Sequence, residues 1–211
     1  MSLMIELVIA SRNRGKVDEY RELLQLPVKI FSLADFPELP EIEETGTTFR
    51  ENALIKARAV AAATGRIALA DDSGLEVDYL NGAPGVYSSR YAGLQQNDEA
   101  NNRKLLKALQ GVPFSERKAR FCCVIAVVTP KGEEYLGEGT CEGVITTEPR
   151  GTMGFGYDPL FLIPSLGKTF AELGPEVKNR ISHRAQAMRA VRDILAHLLE
   201  DGGESACGSV S

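Results

Sequence analysis

Residues 119–151, ARFCCVIAVVTPKGEEYLGEGTCEGVITTEPRG, constrain the fold more than any other part of this chain. Two arms rich in β-branched and apolar residues flank the turn signals between Pro130 and Gly132, so the segment predicts a long antiparallel hairpin. Elsewhere, short apolar runs alternate with helical patterns. MIELVIA (4–10) breaks at SRNRGK before the amphipathic KVDEYRELLQL, and VKIFSL leads into the Pro- and Glu-rich surface loop ADFPELPEIEETGTTF. Strands separated by helices require parallel crossovers, whereas a hairpin requires antiparallel pairing. The expected fold is therefore α/β with a mixed twisted sheet and flanking helices.

Local signals place further elements. Thr48 followed by Glu51 forms a capping box for the helix TFRENALIKARAVAAATG, and Gly65 sits where a C-cap is expected. Residues 67–70 read as a strand that ends at the acidic pair Asp71 and Asp72, and GLEVDYL as a second short strand. NDEANNRKLLKALQGVP predicts another helix, closed by Gly111 and Pro113. In the last helix, Ala185, Met188, Val191, Ile194, Leu195 and Leu198 form one apolar stripe. The tail from 200 to 211 has no periodicity and is expected to be disordered, which leaves one domain over 4–199.

Composition limits the partners. A formal net charge of −5, with Lys and Arg scattered along the 211 residues, argues against nucleic acid or an anionic membrane as a non-specific partner. No apolar run reaches the roughly 18 residues of a spanning helix, and no secretion signal is evident, so a cytoplasmic protein is expected. The four cysteines lack C-x-x-C spacing; Cys122 and Cys123, adjacent on a strand, face opposite ways and cannot share a metal.

Three polar regions fall at expected strand ends, where α/β sheets bind ligands. In SRNRGK, Ser11, Arg12, Asn13, Arg14, Gly15 and Lys16 lie between a strand and a helix start, where backbone N–H groups and the helix dipole favour phosphate. The same residues would equally suit a plain N-cap. In ADDSG, two carboxylates follow an apolar strand; buried carboxylates need a cation or a proton, and Mg²⁺ with oxygen ligands fits, although an acidic turn is the simpler alternative. Glu43 and Glu44 are the nearest further acids by character, or else members of a solvated loop. In GFGYDPLF, Phe155 and Tyr157 either present an aromatic face to a flat base, with Asp158 as polar partner, or pack into the core. His183 and Arg184 open the last helix, where the dipole disfavours cations, and an anionic or carbonyl-bearing ligand would resolve that conflict. No Ser or Cys is clearly placed to form a triad with His183.

Taken together, SRNRGK, EETGTTFRENALIKA, ADDSGLEVDYLNGAPGVYSSRYAG, GFGYDPLF and ISHRAQA resemble the inosine triphosphate pyrophosphatase family, in family order and over roughly Met4 to Leu199. The resemblance implies two lobes around a central nucleotide cleft. It also implies a homodimeric, Mg²⁺-dependent enzyme hydrolysing ITP, dITP and XTP to the monophosphate and pyrophosphate. By the matching motifs, residues 11–16 would hold the triphosphate, Glu44 and Asp72 the Mg²⁺, and Asp72 would be the catalytic carboxylate. Ser73, Phe155, Gly156, Tyr157, Asp158, Lys178, His183 and Arg184 would complete the substrate site. The family usually has Gly where Arg12 stands. Two other classes remain open: a pyrophosphatase for pyrimidine or modified triphosphates, and a nucleotide-binding protein without turnover.

Overall fold

The computed structural model describes the backbone of residues 6–93 and 97–204 and the side chains up to 198. In chain order the elements are β1 (Glu6–Ile9), α1 (Arg14–Leu24), β2 (Lys29–Ser32), α2 (Phe49–Thr64), β3 (Ile67–Val77) and α3 (Asp98–Ala108). There follow β4 (Lys118–Val128), β5 (Glu134–Ile145), β6 (Phe161–Ile163), β7 (Lys168–Thr169), α4 (Phe170–Ile181) and α5 (His183–Glu204). The seven strands form one sheet in the order β2-β1-β3-β4-β5-β6-β7. β1 pairs in parallel with β2 and β3, whereas β6 pairs antiparallel with β5 and β7. The α/β class and the mixed sheet follow the expectation.

The expected hairpin is present. Val128 and Glu134 end its arms, and the turn is closed by Gly132 N–H donating to the Thr129 carbonyl at 2.9 Å. Gly132 takes a φ of 85°, which a side chain would strain. α2 also begins as expected: Thr48 accepts from the Glu51 N–H, Glu51 answers to the Thr48 backbone, and Gly65 caps the other end at φ 62°.

Three expectations need correction. β3 does not end at the acidic pair; it runs unbroken for 11 residues, with Asp71 and Asp72 buried inside it. A carboxylate ends a strand when only water can satisfy it, and here both have protein partners. α4 was not expected, because Gly174 and Pro175 interrupt its pattern. Gly174 is non-helical at φ 76° and ψ 172°, while a Thr169–Glu172 capping box starts the element. α5 continues past residue 199 to Glu204, since extending a formed helix costs little next to nucleating one. The remainder of the expected tail, 205–211, lies outside the described residues.

The chain divides into two compact units. One contains the residues up to 72, 124–138 and those from 187 onward; the other contains 73–123 and 139–186. In the first, Ala53, Ala57 and Ala61 of α2 pack with Val8 of β1 and with Ala68 and Ala70 of β3. Alanine on both surfaces lets helix and sheet approach closely. In the second, Phe121, Phe161 and Phe170 form an aromatic centre with ring separations of 4.5 Å and 5.2 Å along the chain of contacts. Each such ring, fully buried, contributes roughly 1.5–3 kcal/mol. The stripe on α5 is also as expected, with Ala185, Met188, Val191 and Leu195 buried.

Candidate active site

In the first unit, β1 ends at Ile9 and α1 begins at Arg14, so residues 10–13 form the connection. Asn13 caps α1: its Oδ1 accepts the Lys16 N–H at 3.2 Å, and Ser11 Oγ in turn accepts the Asn13 N–H at 3.1 Å. The capping role is thus real, and it aims the start of α1. Arg12 reaches the Leu39 carbonyl at 2.7 Å, and Arg14 is exposed. Gly15 is half-buried in the first turn. Lys16 extends from that turn to Asp71 Oδ2 at 3.0 Å.

Asp71 and Asp72 are neighbours on an extended strand and so diverge. Asp71 meets Lys16, whereas Asp72 meets α2. Asn52 Nδ2 donates to Asp72 Oδ2 at 3.0 Å, and Lys56 Nζ lies 3.7 Å from Asp72 Oδ1. The same ammonium donates to Glu44 Oε1 at 2.6 Å. One cation therefore touches oxygens of both Glu44 and Asp72. Glu43 beside them is exposed.

The loop carrying Glu44 is seated by Gly46, whose N–H donates to Asn52 Oδ1 at 2.8 Å. A Cβ on Gly46 would come within 2.6 Å of Glu51 Cβ, so glycine is required for this approach. Burial raises the Asp72 carboxyl above its ordinary range; Lys56 and Lys16 oppose the rise without cancelling it, and Glu44 adds to it. For Lys56, burial pulls the ammonium down, but Asp72, Glu44 and Asp71 outweigh that and hold it above the ordinary lysine range. Both directions describe a desolvated charge cluster.

Neither Asn52 nor Lys56 was singled out from the sequence. Their signal was present: two polar residues four apart within NALIKARAVAAAT, on a helix whose remaining inward residues are small and apolar. As for a metal, Glu44, Asp72 and Asp71 bring three carboxylates against the two ammoniums of Lys16 and Lys56, an excess of one negative charge among these five groups. That Lys56 bridges Glu44 and Asp72 shows that one cation can be reached by both. Hard oxygen donors, two of them on one cation, suit Mg²⁺, which commonly takes one or two carboxylates and completes its shell with water and phosphate. Among the described residues, no three His, Cys, Asp or Glu side chains form a metal cage.

In the second unit, the loop before β6 holds Phe155. Gly154 at φ 80° leaves room for the Asp158 carboxylate, which a Cβ there would meet at 2.1 Å. Asp158 Oδ2 accepts the Phe155 N–H at 3.0 Å and pairs with Lys178 Nζ at 2.7 Å. Lys178 lies 4.7 Å from the Phe155 ring centre, and the Arg184 guanidinium carbon lies 5.1 Å from it. Arg184 Nη2 also donates to Ser73 Oγ at 2.9 Å. Phe155, Asp158, Lys178, Arg184 and Ser73 are thereby brought together, with the ring facing two cations.

His183 is 1% exposed, its ring stacked on Phe121 at 4.7 Å and 12°. It opens α5 as expected, and Ser182 Oγ accepts the Ala185 N–H there at 3.2 Å. Tyr157 departs from the aromatic-face expectation. Its ring belongs to the core beside Leu160 and Phe161, and its hydroxyl donates to the Ser88 carbonyl at 2.8 Å. Buried tyrosine needs a partner for its hydroxyl, and Ser88 provides one. The aromatic face this loop offers is that of Phe155 alone.

Several known proteins are similar to this chain. A dITP/XTP pyrophosphatase of Desulforamulus reducens is 54% identical over 195 residues, spanning 92% of this chain and 97% of the relative. One of Geobacter sulfurreducens is 54% identical over 193 residues, spanning 91% and 97%. Among solved structures, a HAM1 protein from Coxiella burnetii superposes with a TM-score of 0.82 at 49% identity, covering 92% of this chain and all of that one. The Staphylococcus aureus Ham1 protein gives 0.81 at 43% identity, covering 91% and 98%. The sequence profile of the Ham1 family matches residues 7–194, and the chain belongs to that family.

Proposed function

We propose that the protein hydrolyses nucleoside triphosphates of deaminated purines, ITP, dITP and XTP, to the monophosphate and pyrophosphate, with Mg²⁺ as cofactor. The observation that carries the reading is Asp72: a buried carboxylate with a raised pKa, one oxygen fixed by Asn52 and the other facing Lys56. The curated relatives that match nearly end to end are dITP/XTP pyrophosphatases, which supports the same chemistry.

In this mechanism Asp72 accepts a proton from the attacking water. The water oxygen bonds to the α-phosphorus, the bridging Pα–O bond breaks in line, and pyrophosphate leaves with that electron pair. Asp72 is buried, and Asn52 fixes one of its oxygens, so the carboxylate is oriented for that proton transfer. The N–H groups opening α1, with Ser11, Asn13 and Lys16, hold phosphate oxygens at the helix N-terminus. Asn52 keeps the carboxylate from rotating. Held by Glu44 and Asp72, Mg²⁺ would neutralise phosphate charge. Lys56 keeps those two carboxylates together beforehand.

For the base, the Phe155 ring supplies a stacking face, and Arg184 with His183 supplies donors. Inosine and xanthine carry an acceptor oxygen at position 6, where adenine carries an amino donor. A donor facing a donor leaves both unsatisfied, which disfavours adenine. A homodimer and a cytoplasmic setting belong to the same reading, and light scattering on the purified protein checks the first.

Turnover of ITP, dITP, XTP, ATP, GTP, dTTP and UTP with Mg²⁺, with pyrophosphate and orthophosphate measured in parallel, tests the function. Pyrophosphate from the first three in preference to the others is expected. A preference for dTTP or UTP would make it a pyrimidine housecleaning enzyme, and orthophosphate as the first product would refute attack at the α-phosphorus.

A further inference from the structure

Two side chains of α3 grip the residue that follows Phe155. Asp98 Oδ2 accepts the Gly156 N–H at 2.7 Å, and Asn102 Nδ2 donates to the Gly156 carbonyl at 2.9 Å. Four residues apart, they share one face of the helix. On the other side, the Phe155 N–H is held by Asp158. Successive N–H groups, of Phe155 and Gly156, are therefore fixed by carboxylates from two different parts of the chain. Gly156 adopts φ 62°, so the backbone turns at the point where the ring is presented.

α3 is itself firmly set. Leu105 and Leu109 are fully buried, Asn101 Oδ1 accepts the Ala92 N–H at 2.7 Å, and Asn101 Nδ2 donates to the Ser89 carbonyl at 3.2 Å. Asp98 stands in the first turn, where the helix dipole favours a carboxylate, and Asn97 caps that turn. The helix thus acts as a bracket for a loop that is otherwise rich in glycine.

We propose that Asp98 and Asn102 are positioning residues for the purine: through Gly156 they hold the Phe155 ring against Lys178 and Arg184, and so set affinity and base selectivity without touching substrate. The inference rests on the reading of Phe155 and Arg184 as the base site. Without the clamp, the peptide after Gly156 loses the Asn102 bond and the one before it keeps only the bond from the Asp158 N–H to the Phe155 carbonyl at 3.3 Å, so more of the ring's ordering falls on the binding of a base. That cost falls on binding of the base rather than on the chemical step.

The test compares wild type, Asp98→Ala, Asn102→Ala and Asp98→Asn for kcat and KM on ITP and ATP. Inhibition by inorganic tripolyphosphate, which has the phosphate chain but no base, is measured alongside. Loss of one such hydrogen bond is expected to raise KM for ITP about tenfold in each Ala variant, with kcat within about twofold. The ITP-over-ATP preference in kcat/KM falls with it, tripolyphosphate inhibition is unchanged, and Asp98→Asn, which keeps an acceptor oxygen, restores most of the loss. Unchanged ITP kinetics in the Ala variants, a fall in kcat at constant KM, or an equal loss of tripolyphosphate affinity would overturn the clamp. Should Asp98→Ala not fold, Asn102→Ala carries the same comparison, and an unchanged KM there overturns it equally. A wild type that neither binds nor turns over ITP refutes the functional reading and the clamp with it; a wild type that does, with variants that match it, refutes the clamp alone.

Discussion

Asn52 ties the loop of Glu44 to Asp72: its amide donates to Asp72 Oδ2 at 3.0 Å while its oxygen accepts the Gly46 N–H at 2.8 Å. One side chain therefore sets the orientation of one carboxylate and the seat of the other. Asn52→Leu keeps the volume and removes both bonds. It is expected to lower stability by about 1–3 kcal/mol, the cost of leaving buried polar groups unsatisfied. Turnover of ITP should fall by one to two orders of magnitude, roughly the worth of a lost orienting contact in the transition state. Steady-state kinetics beside a thermal melt check both, and unaltered kcat would show that Asp72 does not depend on Asn52 for its orientation.

In the proposed mechanism Lys56 competes with Mg²⁺ for the oxygens of Glu44 and Asp72. In the metal-free protein, Lys56→Met should cost about 3 kcal/mol, because removing one partner of a buried pair strands the other charges. Added Mg²⁺ should then raise the melting temperature of the variant more than that of the wild type. Equal shifts in the two proteins would mean that the cation does not enter between Glu44 and Asp72.

The raised Asp72 pKa has a pH consequence of definite sign. Relative to its ordinary value of 3.8, burial raises it most, and Lys56 and Lys16 only partly compensate. The folded chain then holds this proton to higher pH than the unfolded chain does. The stability so contributed is complete below the ordinary aspartate range and is lost as pH rises through the raised value. Metal-free wild type should therefore lose ground to Asp72→Asn on going from about pH 4 upward, the gap levelling once the folded carboxyl is ionised. Melts in chelator across pH read that difference, and a wild type that gains stability relative to Asp72→Asn as pH rises would contradict the burial argument.

Arg117 is a purely structural case. Its guanidinium, 3% exposed, donates to the carbonyls of Ile145, Leu109 and Thr146, each at 2.8 Å, and so joins the end of α3 to the end of β5. Arg117→Met should destabilise by roughly 3 kcal/mol through the carbonyls it leaves bare, lowering the melting temperature by roughly 6–12 °C in a domain this size. KM and kcat for ITP below the transition should stay as they were; a selective loss of kcat would give Arg117 a part in the chemistry.

What the sequence disclosed depended on how local the cause was. The Thr48–Glu51 capping box and Gly65 operate within one turn, so the ends of α2 could be read directly. β3 could not, because Asp71 and Asp72 are satisfied within the strand by Lys16, Asn52 and Lys56, which come from elsewhere in the chain. α4 was hidden by Gly174 and Pro175, whose local effect is to interrupt a helix that a capping box nevertheless starts. In the candidate site, Asp72 and Glu44 were legible as acids, but the residues that orient them resembled ordinary polar positions on a helix. Phe155 and Tyr157 looked alike, and only the core around Tyr157 tells them apart.

The most direct measurement is pyrophosphate release from ITP with Mg²⁺ by wild type and by Asp72→Asn, each shown by circular dichroism to be folded. Wild type should release pyrophosphate, and the variant should lose several orders of magnitude in kcat while retaining its spectrum and melting as one species. Near-normal turnover by Asp72→Asn would contradict the assignment of Asp72 as the base.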